Sequence, residues 1–106
     1  MHRIIVVLIG STRFQETFLE EAWKFTKEGY VVLLPNFRPA NMMAKGFDID
    51  TDILEDIGYN KIDIANLVYV VNEGGYIGES TSKEIEYAES IHKPIKYMEE
   101  QNEWED

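Results

Sequence analysis

Three stretches of this chain are continuous runs of apolar, largely β-branched residues: IIVVLIG at residues 4–10, YVVLLP at 30–35 and LVYVV at 67–71. A strand in which every residue is apolar is buried on both faces, which is typical of a parallel sheet covered by helices. A fourth, shorter run is IKYM at 95–98. The segments between the runs have helical spacing, so the sequence predicts an α/β domain with a parallel sheet of four to five strands and helices on both faces.

The first predicted helix follows the first strand. Ser11 begins a capping signal, and Gly29 suits the C′ position at the end of the helix. Its expected buried stripe consists of Phe14, Phe18, Ala22 and Phe25. The spacing predicts one amphipathic helix that packs against the sheet.

The middle of the chain has a weaker pattern. Residues 36–47 show no clear period, and we predict a long loop there, a kind of segment that is often functional or mobile. A helix can start near Asp50, with Ile53, Ile57 and Ile64 as its apolar stripe.

Length and composition limit the choices. The chain has 106 residues, enough for one domain but not two, and we assign residues 1–98 to that domain. Residues 99–106 form an acidic tail that we expect to be frayed. No cysteine is present, which excludes disulfides, thiolate metal sites and a cysteine nucleophile. The apolar run at 4–9 is too short to span a bilayer, and we expect a cytoplasmic protein without a membrane partner.

The charge of the chain bears on its partners. Ten basic residues against twenty acidic ones give a net charge of −10. Binding to a nucleic-acid backbone depends on a positive face, so we expect no nucleic-acid polymer as a partner. A small anionic ligand can still bind where a helix N-terminus and an arginine act locally.

The loop GSTRF, residues 10–14, lies where a ligand is expected. In flavodoxin-like or Rossmann-like sheets, ligands bind beyond the carboxyl ends of the strands, at a switch in strand order. Gly10 lets the backbone approach a ligand, Ser11 and Thr12 offer hydroxyls and free amides, and Arg13 can clamp a phosphate. The alternative is an ordinary strand–turn–helix cap with a surface arginine.

A second glycine-rich loop, NEGGYIGEST at residues 72–81, leads from the third strand into a helix. It matches neither a P-loop nor the G-x-G-x-x-G dinucleotide motif. Its candidate ligand-binding residues are Gly75, Gly78, Ser80 and Thr81. The alternative is a tight turn followed by a cap at Ser80 or Thr81.

Glu84 is the anomaly of the last helix. On a helical wheel, Ile85, Ala88 and Ile91 span one arc, and Glu84 lies inside it, roughly 40° from its centre. A carboxylate on a packed face is costly unless it is paired, hydrogen-bonded or in a cleft. Glu84 is therefore either a buried structural carboxylate or a catalytic one whose pKa is set by its surroundings.

The motifs GSTRF, DIANLVYVVN and GGYIGESTSKEIEYA, followed by HKPI, together resemble the nucleoside 2-deoxyribosyltransferase-like superfamily, in particular its small bacterial and phage members. The likeness covers nearly the whole chain except the acidic tail and the middle loop. Its most specific part is a hydroxyl-x-x-Glu-x-x-x-Ala run formed by Thr81, Glu84 and Ala88. The same segment is similar to the G-G-x-G-T-x-x-E motif of nucleotide phosphoribohydrolases, with additional residues between the motif positions here.

The resemblance implies a reaction and roles. Glu84 would attack the anomeric carbon of a (deoxy)nucleoside or nucleoside 5′-monophosphate, so that the N-glycosidic bond is cleaved or transferred. The family often carries an aspartate near the end of strand three, where this chain has Asn72 followed by Glu73, and these two would contact the departing base. The sugar or 5′-phosphate would be held by Ser11, Arg13, Ser80 and Thr81. A homodimer or larger homo-oligomer is also implied.

Two further expectations complete this interpretation. The carboxylate chemistry needs no cofactor and no metal, and His2 and His92 lie far apart in sequence without evident metal-binding partners. The alternative function is a non-catalytic nucleotide sensor or accessory protein that keeps the same pocket. A purely structural oligomeric module explains GSTRF and Glu84 least well.

Overall fold

The structure is a computed structural model, and it describes residues 1–100, which form four strands and four α-helices. The strands are β1 (Ile5–Gly10), β2 (Val31–Leu33), β3 (Leu67–Val71) and β4 (Ile95–Tyr97). The helices are α1 (Gln15–Lys27), α2 (Ala40–Ala44), α3 (Thr51–Ile64) and α4 (Glu79–Ser90). Single turns of 3-10 helix, Thr12–Phe14 and Glu73–Gly75, precede α1 and α4.

The sheet is parallel throughout, with the strand order β2-β1-β3-β4. The chain leaves β1 towards β2 on one side, and β3 then pairs with the other edge of β1. This reversal is the switch point, and Gly10 is paired with Val71 there, at the carboxyl ends of both strands. The predicted parallel sheet is confirmed.

Helices cover both faces of the sheet, which confirms the three-layer fold. On one face, Phe18 and Ala22 of α1 pack against Val6, Leu8 and Val71. On the other face, α3 and α4 supply a second core, which contains Ile62, Ala65 and Ala88 together with Val7, Ile9, Val68 and Val70. Successive strand residues thus enter different cores, which is why the strands had to be apolar throughout.

The boundaries of α1 follow the sequence signals. Ser11 Oγ accepts a hydrogen bond from the backbone N–H of Arg13 at 3.4 Å, so the predicted cap forms at the 3-10 turn that leads into α1. Gly29 has a φ of 94° directly after the C-cap residue Glu28, as expected for C′. Phe18 and Ala22 are buried.

The predicted loop at residues 36–47 was wrong in one respect, because it contains the five-residue helix α2. Arg38 links the two ends of the segment that contains α2. Its guanidinium donates to the Ile49 carbonyl at 3.2 Å and pairs with the Asp48 carboxylate at 3.5 Å. A single helical turn with few apolar residues has no recognisable period, so the pattern could not reveal it.

The start of α3 near Asp50 is confirmed, but its predicted stripe is wrong at two of three positions. Ile53 and Ile64 are exposed by 47% and 61%, whereas Ile62 is fully buried. The inward face of α3 instead includes Gly58 and Lys61, residue types that a hydrophobic pattern does not count.

Residues 101–106 of the predicted tail lie outside the described residues. Glu99, the first residue assigned to the tail, exchanges backbone hydrogen bonds with the side chain of Asn72, and its carboxylate accepts from the Gly74 N–H at 2.7 Å. Within residues 1–100, no helix combines the length and the apolar character needed to cross a bilayer.

Substitution of Gly10 should destabilise the fold through a backbone clash. A Cβ at Gly10 would lie 2.6 Å from the Val71 carbonyl oxygen and 3.1 Å from Phe18 Cζ, and the φ of 151° disfavours other residues. We expect Gly10→Ala to lower the free energy of unfolding by about 2–4 kcal/mol, measured by urea denaturation. Gly46→Ala is the matched control, because Gly46 also has a positive φ but no atom within 4 Å of the added Cβ. Equal losses in the two variants would contradict the clash.

Candidate active site

A cavity of about 160 Å³ opens at the carboxyl edge of the sheet. Its walls come from the ends of β1 and β2, from the inward face of α3 and from the start of α4. The lining residues used below are Gly10, Thr12, Leu34, Asn36, Gly58, Lys61, Ser80 and Glu84. The cavity therefore lies where a doubly wound sheet is expected to bind its ligand.

Glu84, from the second turn of α4, is half-buried in the wall of this cavity. Its carboxylate forms neither a hydrogen bond nor a salt bridge with any other part of residues 1–100. Burial, with a further contribution from the neighbouring Glu55, raises the pKa of Glu84 to about 7, and the positive charge of Lys61 opposes this rise. The predicted inward orientation of Glu84 is confirmed by its burial, and its role stays a prediction.

Gly58 explains how a carboxylate fits between two packed helices. It lies in the interior of α3 with ordinary helical geometry, where glycine costs about 1 kcal/mol relative to alanine. A Cβ at Gly58 would lie only 2.7 Å from Glu84 Oε2. The missing side chain of Gly58 thus leaves the space that the carboxylate occupies.

Lys61 is the cation of the cavity, and the sequence analysis missed it. Its Nζ donates to the Leu34 carbonyl at 2.6 Å and to Asn36 Oδ1, so it is held at the carboxyl end of β2. Burial lowers the pKa of Lys61, while the negative charge of Glu84 acts in the opposite direction. A lysine one turn after a helix glycine carries no signal of its own, because most lysines are solvated.

Only two of the five residues of the GSTRF loop line the cavity. Gly10 and Thr12 line it, and Ser11 lines an adjoining open groove of about 270 Å³. Arg13 instead stacks on Tyr76, with its guanidinium carbon 4.2 Å from the ring centroid, and donates to the Tyr76 hydroxyl at 3.1 Å. Arg13 therefore joins the two glycine-containing loops.

The second loop supplies the other wall of that groove. Gly78, Ser80 and Thr81 line it together with Ser11, so the starts of the first 3-10 turn and of α4 face the same space. Thr81 itself is nearly completely buried. Gly75 has a φ of 81° and lines none of the cavities described here, which gives it a turn-forming position.

Asn72 and Glu73 are placed away from the cavity. Asn72 is fully buried, and its amide donates to the Glu99 carbonyl and accepts from the Glu99 N–H, both at 2.8 Å. The Glu73 carboxylate accepts a hydrogen bond from the Thr17 hydroxyl. The expectation that either residue contacts a departing base receives no support from these positions.

A further cavity of about 180 Å³ lies on the other side of Glu84, between α3 and α4. Leu54, Ser80 and Glu84 line both cavities, so the carboxylate lies at their junction. Each cavity alone is smaller than a typical ligand site, and the two together reach the lower end of that range, ~300 Å³.

The fold and site together define a three-layer α/β domain with a partly buried carboxylate beyond the carboxyl ends of its parallel strands. No protein-family model matches the chain, and no curated protein matches it. Among solved structures, the chain is similar to the 2-desoxiribosyltransferase from Leishmania mexicana, with a TM-score of 0.64 at 13% sequence identity. The match covers 89% of this chain and 63% of that chain, so it spans less than two thirds of that protein. At this identity the likeness shows a shared fold.

The raised pKa of Glu84 predicts how stability depends on pH. Between pH 4.5 and about 7, the folded protein holds a proton that the unfolded chain has lost, so the free energy of unfolding falls as pH rises through this window. Above that window the ionised Glu84 remains a destabilising group. We expect Glu84→Gln to flatten this dependence and to be more stable than the native protein at about pH 8, by roughly 2–3 kcal/mol.

Urea denaturation across this pH range measures the effect. Glu86→Gln is the matched control, because Glu86 lies on the exposed face of the same helix. Parallel pH profiles for the native protein and Glu84→Gln would contradict the raised pKa.

Proposed function

We propose that this protein cleaves or transfers the N-glycosidic bond of a (deoxy)nucleoside or nucleoside 5′-monophosphate, with Glu84 as the nucleophile. One observation carries the proposal: a half-buried carboxylate without a protein partner lines a cavity at the switch point of the sheet. A structural glutamate in such a position would be expected to be paired or hydrogen-bonded. The free carboxylate is instead available to a ligand.

The reaction proceeds in two steps at the anomeric carbon. A carboxylate oxygen of Glu84 forms a bond to that carbon while the carbon–nitrogen bond breaks and the base takes the electron pair. The product is a glycosyl ester on Glu84. Water or a second base then attacks the same carbon, the ester bond breaks, and the carboxylate is restored. Two displacements retain the configuration of the sugar.

The surroundings of Glu84 fit a nucleophile. Only the ionised form attacks, and a pKa of about 7 leaves a substantial ionised fraction at neutral pH. Partial burial also removes water that would solvate the carboxylate. We therefore expect the rate of the first step to rise with pH as Glu84 ionises, with a midpoint at about pH 7.

The open groove beside the cavity suits the sugar hydroxyls or a 5′-phosphate. Ser11, Gly78 and Ser80 line it at the starts of two helical segments, where free amides and the helix dipole favour an anion. Thr12 links this groove to the cavity that contains Glu84. In this proposal Arg13 holds Tyr76 and the loop around it, and does not clamp the phosphate itself.

The structural similarity supports this chemistry at the level of the fold. The similar protein is named a 2-desoxiribosyltransferase, and the two chains share the three-layer architecture. The predicted homo-oligomer stays a prediction, as do the base and the choice between water and a second base as acceptor.

A second candidate function is nucleotide sensing without turnover. The position at which the resemblance expects a base-handling aspartate is held by Asn72, and its amide is already bonded to Glu99. A site that lacks this acid can bind a nucleotide and leave its glycosidic bond intact.

Released base separates the two functions. The native protein and Glu84→Gln are incubated with each deoxynucleoside and its 5′-monophosphate, and free base is measured by chromatography. We expect release by the native protein and a loss of at least about a thousandfold in Glu84→Gln. Glu86→Gln, on the exposed face of α4, should retain the native rate. Saturable binding with no release by the native protein would favour the sensor.

Gly58→Ala tests the position of the carboxylate without removing it. The added Cβ would approach Glu84 Oε2 to 2.7 Å and displace the flexible end of that side chain. We expect base release to fall at least about tenfold, while alanine stabilises the helix by about 0.5–1 kcal/mol, measured by thermal denaturation. Asn60→Ala, at an exposed position of the same helix, should leave release unchanged. Full activity in a folded Gly58→Ala protein would show that this packing is not required.

A further inference from the structure

Cleavage of an N-glycosidic bond leaves an electron pair on the departing base. Unless a proton or a positive charge meets that pair, the base leaves as a poor, negatively charged group. Asn72 is buried outside the cavity lining with its amide bonded to Glu99, and the Glu73 carboxylate accepts from the Thr17 hydroxyl. In the proposed reaction, another group therefore has to supply the proton or the positive charge to the departing base.

Lys61 is built into the wall opposite the first turns of α4. Its ammonium bridges from α3 to the end of β2, where the Leu34 carbonyl and Asn36 Oδ1 accept two of its hydrogen bonds. An ammonium group has three donors, and no third acceptor for it is found within residues 1–100. Because Lys61 also lines the cavity, that remaining donor is available to a ligand there.

Lys61 is not neutralised by the nearby carboxylate. Lys61 and Glu84 affect each other's pKa, yet the described chain shows no salt bridge between them. Both line the same cavity of about 160 Å³, so a small group in it would meet both. With the anomeric carbon at Glu84, a base directed into this cavity would meet the cation.

We propose that Lys61 is the group that receives the departing base: its free N–H contacts a ring nitrogen or carbonyl oxygen of the base and stabilises the charge that develops there. This inference rests on the proposed function and adds a residue to it. It also names a feature of the substrate, which is a base with an acceptor atom on the edge that faces α3.

The proton and the electrons balance in this step. The bond from Glu84 to the anomeric carbon forms, the carbon–nitrogen bond breaks, and its electron pair stays on the base. The Lys61 ammonium then transfers a proton to the base, which leaves neutral, and the amine regains a proton from water before the next turnover. Burial, which lowers the pKa of Lys61, makes the ammonium a better proton donor.

The test compares substrates whose bases need this help to different degrees. The nucleoside that the native protein cleaves best is paired with a counterpart carrying a better leaving group, N7-methyl for a purine or 5-fluoro for a pyrimidine. Lys61→Met removes the charge and the donors but keeps an unbranched side chain. We expect Lys61→Met to slow base release from the ordinary nucleoside by roughly 100-fold or more. For the activated nucleoside, the factor by which release is slowed should be at least about ten times smaller.

Controls separate this role from a structural one. Lys61→Gln keeps a donor for the Leu34 carbonyl, and the ratio between the two substrates is measured within one protein, so partial destabilisation cancels. Lys27→Met, at the exposed end of α1, should change neither rate.

Equal slowing of both substrates by Lys61→Met, or no slowing, would overturn the role of Lys61 while leaving the proposed function intact. If the native protein released base from no substrate, the proposed function and this inference would both fail.

Discussion

The pairing of β1 with a different strand on each of its edges is the constraint on which the site depends. Because β2 and β3 lie on opposite sides of β1, the connections that leave the carboxyl ends of β1 and β3 run to opposite faces of the sheet. The space between them is not filled by either connection, and the cavity lies there. Gly10 sets how closely β1 and β3 approach at this point, since the Val71 carbonyl occupies the place of a side chain.

Within that space, the packing of α3 against α4 buries Glu84 and thereby raises its pKa. Two helices in contact normally bury apolar side chains, but here a carboxylate of α4 is accommodated by the absence of a side chain at Gly58 of α3. Gly58 weakens α3 slightly, and the Glu84 carboxylate loses part of its hydration. Neither feature improves stability, and local costs of this kind are common at functional sites.

The strands and α1 were predictable because each depends on short-range pattern. Continuous apolar runs fix strands that enter two cores, and Ser11 and Gly29 fix where α1 begins and ends. The inward placement of Glu84 was also predictable, since its place on the wheel of α4 depends only on helical geometry. These features need no knowledge of a partner element.

The placement of the Lys61 and Asn72 side chains could not be predicted in this way, because it depends on partners distant in sequence. Lys61 faces inward on account of acceptors at Leu34 and Asn36, and no pattern within α3 distinguishes it from a solvated lysine. Asn72 was expected at the site because the resemblance implies a base-handling residue near the end of strand three, yet its environment is set by the chain that follows β4. The sequence therefore carries no signal for Lys61, and it does not reveal the contacts that keep Asn72 away from the cavity.

The contacts of Asn72 also show why an amide, and not an acid, suits that position. Its side chain donates to the Glu99 carbonyl and accepts from the Glu99 N–H, extending the sheet-like pairing beyond β3 and β4. An ionised aspartate could accept the second bond but could not donate the first, and the Glu99 carbonyl oxygen would face a negative charge. The two bonds to Glu99 therefore disfavour an ionised aspartate at position 72. In the proposed reaction, the group placed to stabilise a departing base is therefore Lys61 of α3, which lines the cavity.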